Sequence, residues 1–330
     1  MQKNKKYGAL VWLFILVACF LAPNLLKQAP YELHILVLTC LFAALGMSFN
    51  LVWGYTGLLS LSHTASFGIG AYAAAVLSTK IGIPFWMEFL ASGIGGGLAA
   101  LLIGIPALRM AKSSFVMVTL AFFLICYVVA NQWVAVTDGP AGIHSIPAPS
   151  ILLPVVGLIN IAGRQAYYYS SLSFLAFVVF VALRITRSRV GRVLVAIRED
   201  EVLAQSVGVN IFKYKLMIFI LGSSMAGMVG NLFAHYIGVV GPDIFDFFFV
   251  VRVLIIVIAG GAGTIVGVLV GAVVFTIMPE VLRIASELRE FMFAIVFTLV
   301  MLYMPTGIAG KWKDLYIFVE RKIRHASSAN

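Results

Sequence analysis

The residues that could carry out acid–base or metal chemistry are few and stand far apart in this chain of 330 residues. A zinc site or a catalytic group needs several such side chains at a fixed spacing, as in HExxH or paired cysteines, and neither pattern occurs. The histidines occur singly, as His34, His63, His144, His235 and His325. The sequence therefore predicts no catalytic residue and no metal site.

The three cysteines also lie apart, and each falls inside an apolar run: Cys19, Cys40 and Cys126. This placement indicates small apolar core residues rather than a disulfide framework. Residues 16–19, which follow a basic segment, resemble a lipoprotein cleavage site. The apolar run continues beyond Cys19 and further runs follow, so we interpret this segment as an uncleaved first membrane span.

Two glycine-rich stretches, 68–70 followed by Ala73 and 261–263, resemble half of a dinucleotide-binding fingerprint. Both lie in apolar helical runs without a preceding strand, so close helix packing explains them better. The chain has no GxxxxGK[ST] phosphate loop. It is therefore not expected to hydrolyse ATP or to hold a cofactor, and any dependence on ATP must come from a partner.

The composition is that of a membrane protein. Hydrophobic residues make up 62% of the chain and charged residues only 11%, against about 25% charged in soluble domains. Apolar runs of roughly 20 residues recur, each long enough to cross a hydrocarbon core of about 30 Å, and none alternates as a β-barrel strand does. The sequence predicts an all-α polytopic fold with about ten transmembrane helices, some of them short or broken. The predicted spans are 8–26, 33–53, 57–79, 85–108, 114–135, 166–184, 214–238, 247–261, 264–282 and 290–308.

In a membrane protein, we interpret the net charge of +10 by its distribution between the two sides of the membrane before considering nucleic-acid binding. Ten crossings that start from a cytoplasmic N-terminus leave 17 Lys and Arg inside and six outside. This asymmetry is the one that the positive-inside rule demands, and it predicts that both termini are cytoplasmic. A single crossing over 247–282 would place the basic tail outside, so we reject it; the sequence leaves open whether this segment forms two full spans or a re-entrant hairpin. Residues 1–310 then form the transmembrane domain and 311–330 a basic cytoplasmic tail.

Ionisable residues, which often mark ion pathways in membranes, are nearly absent from the centres of the spans. They lie near span ends, with Arg252 near the outer end of the eighth: Glu32, His34, Glu88, Arg252 and Glu280. This argues against an ion-coupled transporter, although backbone carbonyls can also bind sodium. An autonomous channel or secondary transporter therefore stays an alternative, whereas a membrane enzyme has no catalytic group to support it.

Two spans are unusual: 247–261 is short and ends in 260–263, and 57–79 carries several serines and glycines with His63. Irregular helices at membrane depth survive where protein or water satisfies their backbone groups. They indicate either the walls of a transport pathway or close helix packing.

The segment 184–215 is a basic loop between the sixth and seventh spans. Glu199, Asp200 and Glu201 favour the start of a helix of about two turns, which Gly208 would end. A short helix at the membrane surface is suited to dock into a groove of another protein, or it is a solvated connector.

Six blocks occur in the order found in one family: 57–72, 115–122, 137–143, 191–210, 260–272 and 304–310. In these blocks the chain resembles the LivM-like permease subunits of bacterial ABC importers for branched-chain amino acids. Ser62 departs from the glycine common in relatives, and Ser113-Ser114-Phe115 departs from Gly-x-Tyr-Phe. Both departures leave the substrate open among branched-chain amino acids, urea, amides and aromatic acids.

The resemblance implies a multi-pass permease of the bacterial inner membrane, in contact with membrane lipid and not with nucleic acid. Its partners would be a second homologous permease, two cytoplasmic ATPases that bind ATP and Mg²⁺, and an extracytoplasmic substrate-binding protein. The residues expected to couple to the ATPases are Arg198, Glu199, Asp200, Glu201, Ala204 and Gly208. The residues expected along the substrate pathway are Ser60, Ser62, His63, Phe67, Gly68, Gly70, Tyr72, Gly260, Gly261 and Gly263. The 136–165 loop with Asp138 is either a docking surface for the binding protein or an ordinary turn.

Overall fold

A computed structural model describes residues 30–153, 157–160 and 163–281, together with the single positions 23, 295, 298, 302 and 307. Apart from these positions, the predicted spans 8–26 and 290–308 and the tail 311–330 lie outside the described residues.

Long helices dominate the described chain, and five of them are long and apolar enough to cross a membrane. The helices are α1 (Pro30–Thr56), α2 (Ser62–Val76), α3 (Phe85–Ala107), α4 (Lys112–Gln132), α5 (Val134–Thr137), α6 (Arg164–Thr186), α7 (Arg189–Glu199), α8 (Glu201–Ser206), α9 (Ile211–Ile237), α10 (Phe247–Gly260) and α11 (Ile265–Val281). A π-helical turn, Leu77–Ile81, extends α2, and 3-10 turns cover Gly139–Ala141 and Pro242–Phe245. The strands are β1 (Ile143–His144), β2 (Ser150–Leu153), β3 (Gly157–Asn160) and β4 (Val239–Val240). The fold is therefore that of a helical membrane protein, with two small sheets that the all-α prediction did not include.

Helix α1 forms the centre of the molecule. Most of its length is buried, whereas α4 and α6 bury only 22% of their most apolar stretch. The outer helices α3, α4 and α6 expose large apolar side chains such as Leu102, Met117 and Phe180. Exposed apolar side chains on helices of this length are suited to contact lipid tails or a second membrane protein.

Glycines allow α2, α3 and α9 to approach one another closely. A Cβ atom at Gly70 would overlap the backbone of Gly227, and one at Gly227 would overlap the Ser92 carbonyl. In a membrane the hydrophobic effect does not bring helices together, because lipid tails are as apolar as the side chains. Helices therefore associate through close van der Waals contact, which small residues permit. These glycines therefore set the spacing of the three helices.

The C-terminal part of the described chain, which the sequence left open as two spans or a re-entrant hairpin, is a pair of helices, α10 and α11. Helix α11 runs along α1 from Asn50, which contacts Thr264, to Tyr31, which hydrogen-bonds Glu280. The 19 residue-to-residue steps from Tyr31 to Asn50 correspond to about 28 Å, close to the hydrocarbon thickness. Helix α10 has only 14 residues, or about 21 Å.

The short helix α10 begins beside the middle of α1. Its Phe249 ring lies 5.9 Å from the ring of Phe42, and the guanidinium of Arg252 lies 5.1 Å from the same ring. Arg252 lies in the first half of α10, as predicted for its span, but beside the middle of α1, because the chain enters α10 at this depth through the buried 3-10 turn Pro242–Phe245. Helix α11, with 17 residues or about 26 Å, is thus longer than α10, which covers only part of a crossing.

The ends of the helices gather into two groups at opposite ends of α1. One group, here called the basic end, joins residues 54–57, 108–112, 186–212 and 261–264. The other, here called the opposite end, joins Lys80 to Asp138, and β1 to β4 through Ile143–Val240 and His144–Val239. Strands β2 and β3 form a hairpin of their own.

We expect Lys80→Ala to lower the free energy of unfolding by about 1 kcal/mol. The Lys80 ammonium donates hydrogen bonds to the carbonyls of Ala135 and Val136 and pairs with Asp138 at 3.0 Å. The pair is partly exposed, so solvent weakens it. Thermal unfolding in detergent measures the effect, with Lys213→Ala, another exposed lysine, as the control. Equal stability of the two variants would contradict the contribution of these bonds.

Candidate functional site

Ser60, Ser62 and His63 are buried at the start of α2, and His63 lies against the second half of α1. The Ser48 hydroxyl donates to the Leu45 carbonyl at 2.7 Å, so it must accept at 2.9 Å from His63 Nε2–H. His63 Nδ1 is then an acceptor, and it has no hydrogen-bond partner within the described part of the chain. Ser60 and Ser62 bond each other through their hydroxyls at 2.9 Å. All three predicted pathway residues thus lie inside the helix bundle.

Phe67, Gly68 and Tyr72 face the segment that enters α10. The Phe67 ring contacts Phe233 and Phe249, and the Phe245 ring occupies the space beside Gly68. Phe245 also stacks on Tyr72, with 5.9 Å between the ring centroids. In this conformation aromatic side chains fill the space in which a substrate would contact Phe67 or Gly68.

The Tyr72 hydroxyl is buried and finds no hydrogen-bond partner among the described residues. Its ring lines a largely apolar cavity of about 540 Å³ between α2 and α4. A buried hydroxyl without a partner is costly, so Tyr72 is a candidate for contact with a transported molecule or with another subunit.

The glycines at 260–263 form the turn between α10 and α11 at the basic end. Asn50 holds this turn: its side-chain oxygen accepts from Gly263 N at 2.8 Å, and its amide donates to the Thr264 carbonyl. Gly260 packs on the backbone of Gly267, and Gly307 packs on Gly261. Small residues are needed here because backbones meet directly.

The two groups of predicted pathway residues therefore contact α1 at different places. His63 contacts Ser48 and Phe49, whereas the 260–263 turn contacts Asn50 and Gly54. Gly70 and Gly260 both lie against backbone of a neighbouring helix. The role of both groups in transport stays a prediction.

The 184–215 loop folds into two helices, where the sequence predicted one. Ser188 caps α7, and the Asp200 carboxylate caps α8 by accepting from Val202 N and Leu203 N at 2.9 and 3.0 Å. Glu199 is the last residue of α7, so its predicted place at the start of the short helix was wrong. The chain bends at Asp200, whose extended backbone interrupts the helix. Gly208 follows α8 with a φ of 85°, a conformation that glycine adopts without strain.

Glu201 fastens α8 to the body of the protein. Its carboxylate pairs with Lys215 at 2.7 Å and with Lys112 at 3.0 Å, at the starts of α9 and α4. Lys215 is almost fully buried, whereas Lys112 is 63% exposed. Partial burial disfavours the charge on Glu201, but the two lysines outweigh that effect and lower its pKa.

The direction of this pKa shift predicts how the contact depends on pH. A carboxylate whose pKa is lowered in the folded state stabilises that state above its ordinary pKa, here 4.5. The stabilisation is lost as the pH falls through the lowered pKa. We therefore expect amide exchange in 201–206 to be constant near neutral pH, after correction for intrinsic rates, and to accelerate only in acid below about pH 4.5. A transition near pH 7 would contradict this assignment.

Arg198 connects the surface segment with the membrane body. From near the end of α7 its guanidinium hydrogen-bonds the Gly54 carbonyl in the last turn of α1, and it lies next to Gly263. A movement of α7 would therefore act on α1 and on the α10–α11 turn together.

One buried polar pair was missed by the sequence analysis. His235 Nε2 lies 2.8 Å from a Glu88 carboxylate oxygen, and His235 Nδ1 donates to the Pro147 carbonyl at 2.8 Å. Both side chains are at most 3% exposed. Glu88 and His235 are 147 residues apart in helices whose contact no local pattern reveals. The only signal was the presence of two ionisable residues near the ends of apolar runs.

A family model described as a branched-chain amino acid transport system permease component matches residues 32–305. The chain belongs to this permease family. Among its relatives, the high-affinity branched-chain amino acid transport permease LivM of Escherichia coli K12 is 30% identical over 292 residues, which cover 83% of this chain and 69% of LivM. LivH of the same organism is 25% identical, over 82% of this chain and 91% of LivH. A probable LivM permease of Methanocaldococcus jannaschii is 24% identical, over 87% of this chain and 95% of its own length.

Membership of the permease family confirms the predicted family and class of function: the chain is a multi-pass membrane transport subunit and not an enzyme. The matched region contains every described helix except the first two residues of α1. No solved structure matches the chain with significance.

Proposed function

We propose that this chain is the permease subunit of an ATP-driven importer that brings branched-chain amino acids across the bacterial inner membrane. The observation that carries the proposal is the family match over 32–305, which includes both the apolar helices and the surface helices α7 and α8. The importer contains a second homologous permease, two cytoplasmic ATPases that bind ATP and Mg²⁺, and an extracytoplasmic binding protein. The relatives LivM and LivH, both similar to this chain, favour a pair of homologous permeases.

The proposed topology has ten crossings with both termini in the cytoplasm and the basic end facing the ATPases. It is supported by the two groups of helix ends, because the segments assigned to one side by charge also lie at one end of the structure. Because α10 covers only part of a crossing, the 239–246 segment completes that passage from the outer side.

The proposed mechanism is mechanical. ATPase closure moves α7 and α8; Glu201 transmits the movement to α4 and α9, and Arg198 transmits it to α1 and the 260–263 turn. These helices then rock between outward-open and inward-open states. The Phe245 ring would have to move away from Gly68 and Tyr72 for a substrate to pass along α2.

Gentle detergent purification from the native membrane, followed by reconstitution, tests the proposal. We expect co-purification of two ATPases and a second permease, and uptake of radiolabelled leucine that needs ATP and the binding protein. Uptake of urea, an amide or an aromatic acid but not leucine would change the substrate. Uptake by this chain alone would instead establish an autonomous channel or secondary transporter.

A further inference from the structure

A groove between α6 and α9 opens at the basic end of the molecule. It encloses about 730 Å³, within the range of about 300–1,000 Å³ that is usual for pockets that hold small ligands. Ile218 in its wall is fully buried, whereas Met217 is 42% exposed. Six of its nine lining side chains are apolar: Ile185, Val190, Met217, Ile218, Ile220 and Leu221. The groove is therefore an apolar surface that the described part of the chain leaves open.

The groove has the depth of one membrane leaflet. It begins beside Ser188, in the surface turn between α6 and α7, and follows α9 from Met217 to Ser224. The seven residue-to-residue steps from Met217 to Ser224 correspond to about 10 Å along the helix axis. Ser224 is the middle residue of α9, and its hydroxyl donates to the Gly93 carbonyl inside α3 at 2.6 Å. A groove that ends half-way along a spanning helix is suited to a lipid tail of the nearer leaflet, whereas a helix that crosses the whole membrane would need about 30 Å.

Arginines are concentrated at the surface end of this groove. Arg184 lines it, and Arg187, Arg189 and Arg192 follow in the turn and in the first part of α7. All four are exposed, and none has an acidic partner in the part of the chain that the structure describes. The sequence from 164 to 198 contains no Asp or Glu. The positive-inside rule explains basic residues on this side of the membrane, but it does not explain an apolar groove that opens directly beside them.

The two hydroxyl groups that line the groove are already engaged. Ser188 Oγ donates to the Ile185 carbonyl at 2.7 Å and accepts from Gly191 N, and the Ser224 hydroxyl bonds α3. Among the lining residues, Arg184 is therefore the polar side chain that is free to bind a ligand. It stands in the last turn of α6, where an apolar stem can follow the groove while the guanidinium stays at the membrane surface. A guanidinium binds a phosphate through two parallel hydrogen bonds.

We propose that this groove binds an anionic glycerophospholipid of the leaflet at the basic end, with its phosphate at Arg184 and one acyl chain along 217–224. Basic pockets between membrane helices hold anionic head groups in this manner, because the charge attracts the phosphate and the apolar wall receives the chain. The bound lipid joins α6 to α9 beside the start of α7. It lies apart from the predicted pathway residues of α2 and the 260–263 turn, and it does not depend on which substrate is carried.

Native mass spectrometry of the purified protein, with any subunits that co-purify, tests the site. The protein is mixed with phosphatidylglycerol or with phosphatidylcholine of the same acyl chains, and the bound lipid is counted. We expect phosphatidylglycerol to bind more tightly. Arg184→Ala should weaken its binding about fivefold, the effect of one basic residue near a lipid surface, and leave phosphatidylcholine unchanged. The matched control is Arg109→Ala, which removes an exposed arginine of the basic end that lines a different cavity and should bind as the wild type.

A second variant and a photoreactive lipid test the acyl-chain part of the site. Leu221→Trp fills the groove and should weaken phosphatidylglycerol binding although Arg184 is intact. If this variant does not fold, phosphatidylglycerol with a diazirine on one acyl chain locates the lipid in the unaltered protein. The labelled peptides should include 217–224, and excess unlabelled phosphatidylglycerol, but not phosphatidylcholine, should suppress the labelling.

Three results would overturn the inference by showing only a general attraction of lipid to this surface. They are equal binding of the two lipids, equal losses in Arg184→Ala and Arg109→Ala, and labelling spread evenly over exposed helices such as α4. A photoreactive amino acid incorporated at position 217 that cross-links to another protein subunit, and not to lipid, would also overturn it. The groove would then be an interface between subunits, and the proposed importer would stand.

Discussion

Replacing Glu88 by alanine is expected to lower the free energy of unfolding by about 1–3 kcal/mol, the usual cost of leaving a buried hydrogen-bonding group without its partner. His235 Nε2 would lose its partner in a region where both side chains are at most 3% exposed. Glu88→Gln should cost less, because the amide can still hydrogen-bond the imidazole. The other ring nitrogen of His235 donates to the Pro147 carbonyl, so amide exchange in residues 143–146 should accelerate in the alanine variant.

Chemical unfolding of the purified protein in detergent measures this prediction, and Glu32→Ala is its matched control. Glu32 is a carboxylate at the start of α1, at the opposite end of the molecule like Glu88, but it is exposed. In the double variant Glu88→Ala, His235→Ala the losses should not add, because the two residues share one contact. Additive losses, or a Glu88→Ala variant as stable as Glu32→Ala, would show that the pair does not stabilise the fold.

The positions of the spans could be predicted from local sequence, whereas the contact between Glu88 and His235 could not. Span positions follow from the length of apolar runs, and the described helices α1, α3, α4, α6 and α9 agree with predicted spans to within about five residues, as such boundaries usually do. The contact between Glu88 and His235 depends instead on how α3 packs on α9, which Gly96, Gly227 and Ser92 decide through backbone contacts. No periodicity in either helix encodes that pairing.

The sequence contains the signals of helix α7, but they were not used to predict it. Ser188 is a favourable N-cap, and Val190, Leu194 and Ile197 recur at helical spacing, with Leu194 and Ile197 buried. The acidic residues 199–201 led to a predicted helix start at Glu199, because acidic residues in general favour a helix N-terminus. In the structure only Asp200 caps a helix, and that helix begins at Glu201. The partners of Glu201 could not be read from the sequence, since Lys112 lies 89 positions away.

Those partners make Glu201→Lys the second substitution with a large expected effect. A lysine at 201 would place three ammonium groups together, and Lys215, almost fully buried, would have no counter-charge. Leaving a buried charge unpaired costs about 3–5 kcal/mol, enough to release α8 from α4 and α9. We expect ATPase co-purification and ATP-dependent uptake to fall at least about tenfold, with the amount of membrane-inserted protein unchanged.

Charge reversal separates this explanation from a direct contact between Glu201 and the ATPase. In Glu201→Lys with Lys215→Glu the inner pair is restored with opposite polarity, and Lys112, 63% exposed, is free to turn into solvent. If Glu201 only positions α8, the double variant should recover most of the ATPase binding. If Glu201 touches the ATPase, the double variant should stay defective. Lys213→Glu, an exposed change in the same turn of α9, controls for the introduction of a carboxylate in this turn and should behave as wild type. Recovery by the double variant would therefore show that the ion pair between positions 201 and 215 positions α8.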